Sequence, residues 1–480
     1  MTSTRIISST ARRRPLAACC AALFALAAPE AMAIPPPGTT WMVTSCSDAN
    51  SGSGTTGTLR YAAAHAVSND VIDMTGLVCG TISLQTGAIT LAQNTITLKG
   101  PGMDKLAISG KYNGHIESDR IFTHTGNSVL HIRDLSINDG KLSGSSSFVQ
   151  GGCLYSTGSI ELIHTGVGGC SASVTGSGGA AEGGAIFAAN GLTLAESVVS
   201  GNDVAGGAAL GGGIFAGGYL FVRYSTISNN AAGSTASSSG TGGGVYFIGA
   251  NADISSSTIS GNTAGYDNGG LSIHGTATGA AVIMSSTLSG NVAGHMVGGL
   301  YVNTHMVAID NSTIAFNTAV IGRTGTTPNF TYYAPGVALK ANSVSGNMAV
   351  TLQSSLIANN TYGSTDTDLS GALTSPYTIA FSGNNNLVRV PAALAKVPPD
   401  TVTVSCPLLG PLRDNGGYTQ THALLSHSPG IDQGNNAVLF SYDQRSYPRV
   451  SGATADIGAY EVQQNDVIFN NGFDGCPALF

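Results

Sequence analysis

The chain has 480 residues and a formal net charge of −7, and 9% of its residues are charged, against about 25% in ordinary soluble domains. Its 66 glycines come with 42% hydrophobic residues, which excludes a chain that is disordered by composition. The mild acidity, and the absence of a basic run beyond the N-terminus, argue against nucleic acid or an anionic membrane as a partner.

The first 33 residues have the pattern of a secretory signal peptide. Arg5 and the run Arg12–Arg14 precede the apolar stretch Leu16–Ala28, and Ala31-Met32-Ala33 is a small-x-small cleavage site. We therefore expect cleavage near Ala33 and a secreted location, extracellular or on the outer cell surface. No other stretch is long and apolar enough to predict a transmembrane helix.

Six cysteines follow residue 33, and an even number in a secreted chain predicts disulfides. Cys46 and Cys79 share one N-terminal segment, so we expect them to pair. The sequence leaves the pairing of the other four open, with buried free thiols as the alternative: Cys153, Cys170, Cys406 and Cys476. No CxxC pair and no Cys/His zinc spacing is present, so we expect no metal ion and no cofactor.

Residues 34–115 are predicted to form an N-terminal cap and the first strands. Gly57–Ala66 is the one stretch typical of a short helix, with Leu59 and Ala62 on one face. Thr95–Gly110 then has the pattern of the first strands. A cap of this kind would protect the first open edge of a stacked fold from aggregation.

A pair of motifs recurs through residues 116–390. A Gly-Gly motif begins six times, at intervals of 27 to 32 residues: Gly151, Gly183, Gly211, Gly242, Gly269 and Gly298. β-Branched runs such as Tyr219–Ile227 lie between the copies and predict short strands. A period this short without a helix predicts an all-β fold, the right-handed parallel β-helix. A propeller blade needs about 40 residues, and the leucine and helix pattern of a leucine-rich repeat is missing.

The second motif, as in SSTISGN, ends each time on asparagine. These positions are Asn202, Asn230, Asn262, Asn291 and Asn317. In a stacked coil the same position lies above itself in every turn, so inward Asn side chains can hydrogen bond to those above and below. Asn also tolerates the left-handed backbone that a tight turn needs. We therefore predict a structural ladder of turn asparagines, in which Cys170 takes the Asn position of its own turn.

Two parts of the chain resemble known families. SCSDANSGSGTTGTLRYAAAHA (residues 45–66) and KGPGMDKLAISG (99–110), together with the repeat motifs, are similar to secreted bacterial β-helix proteins akin to the polymorphic outer-membrane protein repeats. The motifs within Leu409–Asn436, Asp443–Val450 and Asp456–Glu461 resemble the choice-of-anchor Q domain. The resemblance implies a secreted or surface-displayed right-handed β-helix of unassigned biochemical role.

The same resemblance implies a small C-terminal domain that closes the coil. We place this domain at residues 391–462, followed by a C-terminal tail at 463–480. Too few residues follow the repeats to form the membrane barrel of the polymorphic outer-membrane proteins, so we do not expect self-display as an autotransporter. The sequence leaves the anchor and the role of the tail open.

Acidic residues that could carry catalysis are scattered through the repeats. They fall at different phases: Glu182, Glu196, Asp203, Asp253, Asp267 and Asp310. Glycoside hydrolysis needs two carboxylates about 5–10 Å apart. Asp366 and Asp368 form an i, i+2 pair, but they lie in a Ser/Thr-rich stretch where we expect a solvated turn.

Basic and aromatic residues indicate no clearer site. Arg223 and Arg323 are isolated and have no acidic neighbours in sequence. His274 and His305 follow Gly-Gly pairs by four and six residues, so we expect surface histidines that need not share a groove. Four tyrosines could stack on sugars or pack at an edge: Tyr266, Tyr301, Tyr332 and Tyr333. Two C-terminal acids are expected to cap a turn and form salt bridges: Asp456 and Glu461. We therefore predict no identifiable catalytic site.

The function that the sequence favours is a secreted or cell-surface scaffold, adhesin-like, that binds glycans or surface partners and associates peripherally with the outer surface. Stacked Ser, Thr and Asn side chains on a long face of low charge suit such contacts. One alternative is a polysaccharide lyase or glycoside hydrolase acting on the coil face; another is a purely structural envelope or matrix protein. Acidic residues stacked along one face would favour an enzyme, because the fold alone does not decide.

Overall fold

The computed structural model describes residues 38–464 and 466, except for 113–114, 117–118, 146, 177, 234–238, 321–333, 364, 394, 404–405 and 438. Several residues and segments discussed above therefore lie outside the described residues: the predicted signal peptide, Arg323, Tyr332, Tyr333, Cys476 and most of the C-terminal tail. Within the described ranges, no helix is long and apolar enough to cross a membrane.

The repeats stack as a parallel β-helix, which confirms the predicted fold class. Each turn of the coil contributes short strands to three main faces, and each strand pairs in parallel with its equivalents in the turns before and after it. The first face, which we call the aromatic face, contains ten consecutive strands: Ile89–Leu91, Phe122–His124, Leu154–Ser156, Ile186–Ala188, Ile214–Arg223, Val245–Ser255, Leu271–His274, Leu300–Asn303, Val337–Ala341 and Leu369–Leu373.

The other two main faces follow in each turn. The back face adds Thr40–Ser45, Val71–Asp73, Ile96–Lys99, Val129–Asn138, Ser159–Gly168, Gly191–Ala195, Ala280–Met284, Met306–Asp310, Met348–Gln353 and Ile379–Ser382. The third face adds Thr81–Ser83, Ala107–Ser109, Val198–Ser200, Thr226–Ser228, Thr258–Ser260, Thr287–Ser289, Thr313–Ala315, Leu356–Ala358 and Leu387–Val388. Strands of ten or eleven residues run on from one face into the next.

Short strands lie beside these faces. A fourth column contains Lys141–Gly144, Ser171–Val174, Asp203–Ala205, Ala231–Ala232, Thr263–Ala264, Val292–Ala293, Thr318–Ala319, Thr361–Tyr362 and Thr365–Asp366. A small lobe adds Phe148–Gln150, Ala180–Glu182 and Ala208–Leu210, and the remaining strands are Gly52–Ser53, Thr56–Thr58, Lys111–Tyr112, His115–Ile116, Leu409–Arg413 and Thr421–Leu424. The lobe and the fourth column flank the aromatic face and share a small apolar cluster of their own.

Inward and outward side chains alternate along the strands, and the inward apolar ones form the core of the coil. In Thr258–Ser260 the middle residue, Ile259, points inward and is fully buried, and Leu288 and Ile314 occupy the same inward position in the next turns. Large apolar residues stack in this way through the whole length of the coil in one continuous cluster. Burial of each such side chain stabilises the fold by about 1.5–3 kcal/mol before the cost of ordering the chain.

A short helix covers the N-terminal end, as the sequence indicates. It spans Leu59–His65, and its N-cap Thr58 accepts a hydrogen bond from the Tyr61 backbone N–H. Its buried face carries Leu59, Ala62 and Ala63, which pack on the first turn of the coil. Arg60 pairs with the buried Asp48 at 2.8 Å. The cap thus covers the apolar core at the first turn of the described part of the chain.

Disulfides lie at two places near this end. Cys46 pairs with Cys79 across the cap, and Cys153 pairs with Cys170 inside the coil, 17 residues apart in sequence. Cys406 is disulfide-bonded as well. The Cys153–Cys170 bridge joins a Gly-Gly turn to the head of the asparagine column.

The turn asparagines are buried and linked from one turn to the next. The side-chain oxygen of each accepts from both the backbone N–H and the Nδ2 of the previous one, as between Asn230 and Asn262 at 3.0 and 2.9 Å. The same double contact links all five of these residues in order, and Asn317 donates in turn to Asn360. Cys170 donates its backbone N–H to Asn202 at the head of the column.

The column ends on Asp368, which corrects the expectation of a solvated turn. Asp368 is fully buried and accepts from the backbone N–H and Nδ2 of Asn360 at 2.9 and 2.8 Å. Its neighbour Asp366 pairs with the buried Arg389 at 2.9 Å. Asp368 replaces the next asparagine because its Oδ1 accepts both bonds from Asn360 while its Oδ2 accepts from the Val390 backbone N–H at 3.0 Å, where an amide nitrogen would face another donor.

A second polar column, of serines, is one that the sequence reasoning missed. The backbone N–H of each serine donates to the side-chain oxygen of the next, as from Ser225 to Ser257 at 3.1 Å. The column comprises Ser197, Ser225, Ser257, Ser286, Ser312 and Ser355. Each serine follows a residue with a left-handed backbone, such as Ser256 with φ 46°. The serine side chain thus supplies an acceptor at the corner where the strands separate.

The C-terminal segment, residues 409–462, packs along the outside of the third face. Outward threonines and serines of that face form its polar contacts: Thr258 Oγ1 donates to the Gln420 carbonyl, and Thr287 Oγ1 donates to Gln444 Oε1, each at 2.6 Å. Ser289 contacts His422 at 2.8 Å. The Thr-x-Ser part of the repeat motif is therefore the surface on which the later part of the chain folds back.

Buried ions hold this segment together. Arg445 pairs with Asp443 at 2.8 Å, and both are essentially inaccessible. Arg449, also buried, donates to Asn311 Oδ1 at 2.8 Å and to the Asp456 carbonyl at 2.6 Å. Two further carboxylates accept backbone N–H bonds within the segment: Asp456 from Asp432 and Val462, and Glu461 from Ser451 and Asp456.

Candidate functional site

A column of aromatic rings runs along the outside of the aromatic face. The residue after the first buried position of each strand points outward, so equal positions of successive turns lie above one another. Ring centroids are 5.4 Å apart from Tyr155 to Phe187, 5.1 Å from Phe187 to Phe215 and 5.6 Å from Phe215 to Tyr246, with nearly parallel planes. Arg120 covers the first ring at 4.8 Å.

In one turn the aromatic position of the column is occupied by a serine, and a nearby histidine ring takes its place. Ser272 pairs in register with Tyr246 and Tyr301, and its small side chain leaves room beside it. The His274 ring fills that room, 4.7 Å from the Tyr246 ring and 5.3 Å from the Tyr301 ring. This corrects the expectation of a surface histidine, because the His274 ring is half-buried within the column.

At this end of the column lies a pocket of about 310 Å³. Tyr246, His274 and Tyr301 form its floor, and Asp267 and Lys340 contribute its charged groups. Loop residues that follow the fourth column complete its wall, among them Asn268, Met296 and Val297. Aromatic side chains with a few convergent polar groups are typical of small-molecule and cofactor sites.

His274 is held at one ring nitrogen. Its Nε2 lies 2.9 Å from Ser272 Oγ, which in turn accepts from Asn268 Nδ2 at 2.8 Å. Burial, and then the charge of Lys340, lower the pKa of His274 to about 4. The imidazole is therefore neutral at physiological pH.

Asp267 is paired on the opposite wall. Its Oδ1 lies 3.0 Å from His295 Nδ1, and Tyr266 stacks on that histidine with ring centroids 4.6 Å apart. Burial raises the pKa of Asp267 above its usual value, and His295 partly offsets the shift. Of the two roles that the sequence left open for Tyr266, stacking on sugars or packing at an edge, the structure shows packing, against His295.

Lys340 is the charged group of the pocket that has no partner in the described part of the chain. Among the described residues it makes no hydrogen bond or ion pair, and it is half-buried beside His274. It extends the outward position that His274 and Asn303 hold in the two preceding turns. Asn303 Oδ1 is buried and also lacks a hydrogen-bond partner within the described part of the chain.

Glu182 and Asp267, two of the acidic residues singled out in the sequence, lie too far apart to act as a catalytic pair. Glu182 lies in the same column as Asp267, separated by Leu210 and Thr241. Three steps of about 4.8 Å put the two backbones roughly 14 Å apart, beyond the range of about 5–10 Å for glycoside hydrolysis. No group of three or more His, Cys, Asp or Glu side chains in the described ranges could hold a metal ion.

The position of Lys340 relative to its glycine could have identified it from the sequence, whereas comparing only the histidines of the repeats does not. His274 stands four residues after Gly270, Asn303 four after Gly299, and Lys340 four after Gly336. His305 stands six after Gly299 and belongs to the next segment of its turn. Aligning the turns on the last glycine before each strand, whatever residue follows, identifies this polar column.

No protein family and no curated protein matches the chain. Among solved structures, the chain is similar to one described as the crystal structure of pectate lyase Pel9A. The two share 14% sequence identity over 88% of this chain and 97% of that chain, with a TM-score of 0.47. A likeness of this degree transfers no residue role, substrate or activity to this chain.

Proposed function

We propose that this protein is a secreted β-helix protein that binds an acidic polysaccharide along its aromatic face, with a sugar carboxylate against Lys340. The observation that carries the proposal is the Lys340 ammonium, which has no partner among the described residues and lines a pocket floored by two tyrosines and a histidine.

Electrostatics favour an anion at this position. A carboxylate about 4 Å from an ammonium gains roughly 4 kcal/mol at the effective dielectric of a protein surface, before the cost of desolvation. Asp267 forms no ion pair with the lysine within the described residues, because its Oδ1 is turned to His295 Nδ1 at 3.0 Å. The neutral His274 adds no competing charge.

The length of the face favours a polymer over a single sugar. From Tyr155 to Tyr301 the column spans five steps of the coil, or about 24 Å. Asn303 Oδ1, buried without a partner, would accept a sugar hydroxyl next to the lysine.

Secretion is part of the proposal. The signal-like residues 1–33 and the disulfides Cys46–Cys79 and Cys153–Cys170 support an oxidising location. The resemblance to polymorphic outer-membrane protein repeats, and of residues 409–461 to the choice-of-anchor Q domain, supports a role at the outer cell surface. The C-terminal segment serves there as the cover of the third face.

Cleavage of the bound polysaccharide is the second candidate function. Two groups with displaced pKa values, Asp267 and His274, lie in the same pocket as Lys340, and such clusters are typical of catalytic sites. Elimination at a uronate would need a base for the proton next to the carboxylate and a cation to stabilise the resulting charge. Hydrolysis by two carboxylates is disfavoured by the separation of Glu182 and Asp267.

Calorimetric titration tests the proposal. Residues 34–480 are titrated with uronate hexamers, oligogalacturonate and oligoalginate, and with the methyl ester of each. We expect binding of at least one acid, no binding of its ester, and about tenfold weaker binding by Lys340→Ala, since 1.4 kcal/mol is tenfold in Kd. The exposed Lys105→Ala is the matched control.

Two results would count against the proposal. Equal binding of acid and ester, or wild-type binding by Lys340→Ala, would remove the lysine from the site. A parallel record of unsaturated-uronate absorbance separates binding alone from cleavage.

A further inference from the structure

A second groove lies where the back face meets the third face, beside the C-terminal segment. Its volume is about 570 Å³. Phe221, Tyr224 and Asp253 line it from the coil, and Leu439 and Tyr442 line it from the C-terminal segment. We call it the seam groove. It shares no lining residue with the pocket of Lys340.

Apolar rings in the seam groove are unusually exposed. Phe221 is 44% exposed and Tyr442 61%, on opposite walls. Tyr224 pairs with Tyr418 at the rim, with ring centroids 4.9 Å apart, and Tyr418 is itself 57% exposed. A contiguous exposed apolar patch with a polar rim marks an interaction site more often than chance exposure does.

Asp253 supplies an unmet acceptor between these rings. Its Oδ1 is buried and accepts no hydrogen bond from any described residue. Burial raises the pKa of Asp253, and the nearby Arg223 lowers it, so the expectation that Arg223 has no acidic neighbour is wrong in space. A buried carboxylate oxygen without a donor is stabilised when a ligand hydroxyl supplies one.

The charges of the seam groove cancel. Arg223 and Asp253 are opposite in sign, and Asp443 at the edge is held by Arg445 at 2.8 Å. Arg223 lies over the Tyr224 ring, 4.8 Å from its centroid, and donates to its hydroxyl. A groove with aromatic faces, hydroxyl acceptors and no net charge suits an uncharged, hydroxyl-rich ligand that has apolar C–H faces.

We propose that the seam groove is a second carbohydrate site, which binds neutral sugar residues. The C–H face of a pyranose packs on Phe221 or Tyr442 while one of its hydroxyls donates to Asp253 Oδ1. This site is independent of the acidic-sugar site, so either can fail alone. A protein with both sites would bridge two polymers, or two regions of one mixed polymer, on different sides of the coil.

Titration with neutral hexasaccharides tests the proposal: cellohexaose, mannohexaose, xylohexaose and chitohexaose. We expect millimolar or tighter binding of at least one by wild type, weakened about tenfold or more in Asp253→Ala and Tyr442→Ala, which corresponds to 1.4 kcal/mol. Tyr442→Phe keeps the ring and should bind as wild type does. Lys340→Ala should bind neutral sugars normally while its uronate binding weakens about tenfold.

Stability provides a second readout. Asp253→Ala removes an unmet buried acceptor, so its thermal midpoint should equal or exceed that of wild type while binding is lost. A fall in the midpoint together with unchanged sugar binding would make Asp253 a structural residue and overturn the proposal. Failure of wild type to bind any of the four hexasaccharides would overturn it as well.

Discussion

Removal of one asparagine from the middle of the ladder should be costly. Asn262 makes four hydrogen bonds through its side chain: two accepted from Asn230, at 3.0 and 2.9 Å, and two donated, to the Ile227 carbonyl and to Asn291 Oδ1. In Asn262→Ala the Asn230 backbone N–H loses its acceptor, while Asn230 Nδ2 keeps the Val199 carbonyl at 3.0 Å.

The expected loss of stability follows from these four hydrogen bonds. A buried amide left without an acceptor costs about 1–3 kcal/mol, and the remaining lost bonds contribute roughly 0.5–1.5 kcal/mol each where their partners stay satisfied. We expect Asn262→Ala to lower the free energy of unfolding by about 4 kcal/mol in total. A matched control is Asn251→Ala, at an exposed position, where the change should stay within about 0.5 kcal/mol.

Circular dichroism and urea titration measure both variants. Per kcal/mol, a chain of this size shifts its thermal midpoint by about 2 °C or less, so a fall of roughly 5 °C is the expected result for Asn262→Ala. Adding Asn291→Ala should cost less than the sum of the two single changes, because the two side chains share a bond. If Asn262→Ala is as stable as Asn251→Ala, the ladder is not a source of stability and the reasoning is refuted.

Three further changes test the buried groups. Burial raises the pKa of Asp310 to about 7, so the folded state loses stability as pH rises from about 4 through 7. Asp310→Asn should flatten this loss and raise the urea midpoint at pH 8.5. An unchanged pH profile in the variant would contradict the raised pKa of Asp310. Arg449→Met removes the hydrogen bonds to Asn311 Oδ1 and to the Asp456 carbonyl, and it removes a buried positive charge near Asp443, Asp456 and Glu461. It should cost about 3–5 kcal/mol, seen as rapid proteolysis within residues 409–462. Protease resistance equal to wild type would count against a stabilising role of Arg449. The double change Cys153→Ser with Cys170→Ser opens a loop of 17 residues and should lower the free energy of unfolding by about 3 kcal/mol. The comparison with wild type is made under oxidising and under reducing conditions. Equal stability of the two proteins would show that the bridge is dispensable.

The fold class could be predicted from sequence because the coil repeats its constraints. A motif such as SSTISGN combines an inward apolar residue, a turn and an amide that stacks on its own copy, and each turn requires the same residues again. The serine column escaped notice because serine is common on every surface of this chain. Its role depends on the left-handed residue before it, as at Ser256, which the letters do not show.

The site was harder to predict because its residues converge only after stacking. Asp267 and His274 lie in one turn, but Lys340 comes from the second turn after it, and its local sequence has little to mark it. The cover of the third face was beyond sequence reasoning for the same reason, since Thr287 and Gln444 are 157 residues apart. The prediction of a solvated turn at Asp368 was wrong because its Ser/Thr-rich stretch is typical of an exposed loop. Only the stacked structure shows that Asp368 accepts the hydrogen bonds of the last asparagine, Asn360.

A crystal structure of residues 34–480 with a bound uronate hexamer would show directly whether the Lys340 pocket holds a sugar carboxylate. We expect density along the aromatic face, with one sugar carboxylate within hydrogen-bonding distance of Lys340 Nζ and a hydroxyl near Asn303 Oδ1. An oligomer bound elsewhere, with the Lys340 pocket empty at saturating concentration, would contradict this expectation.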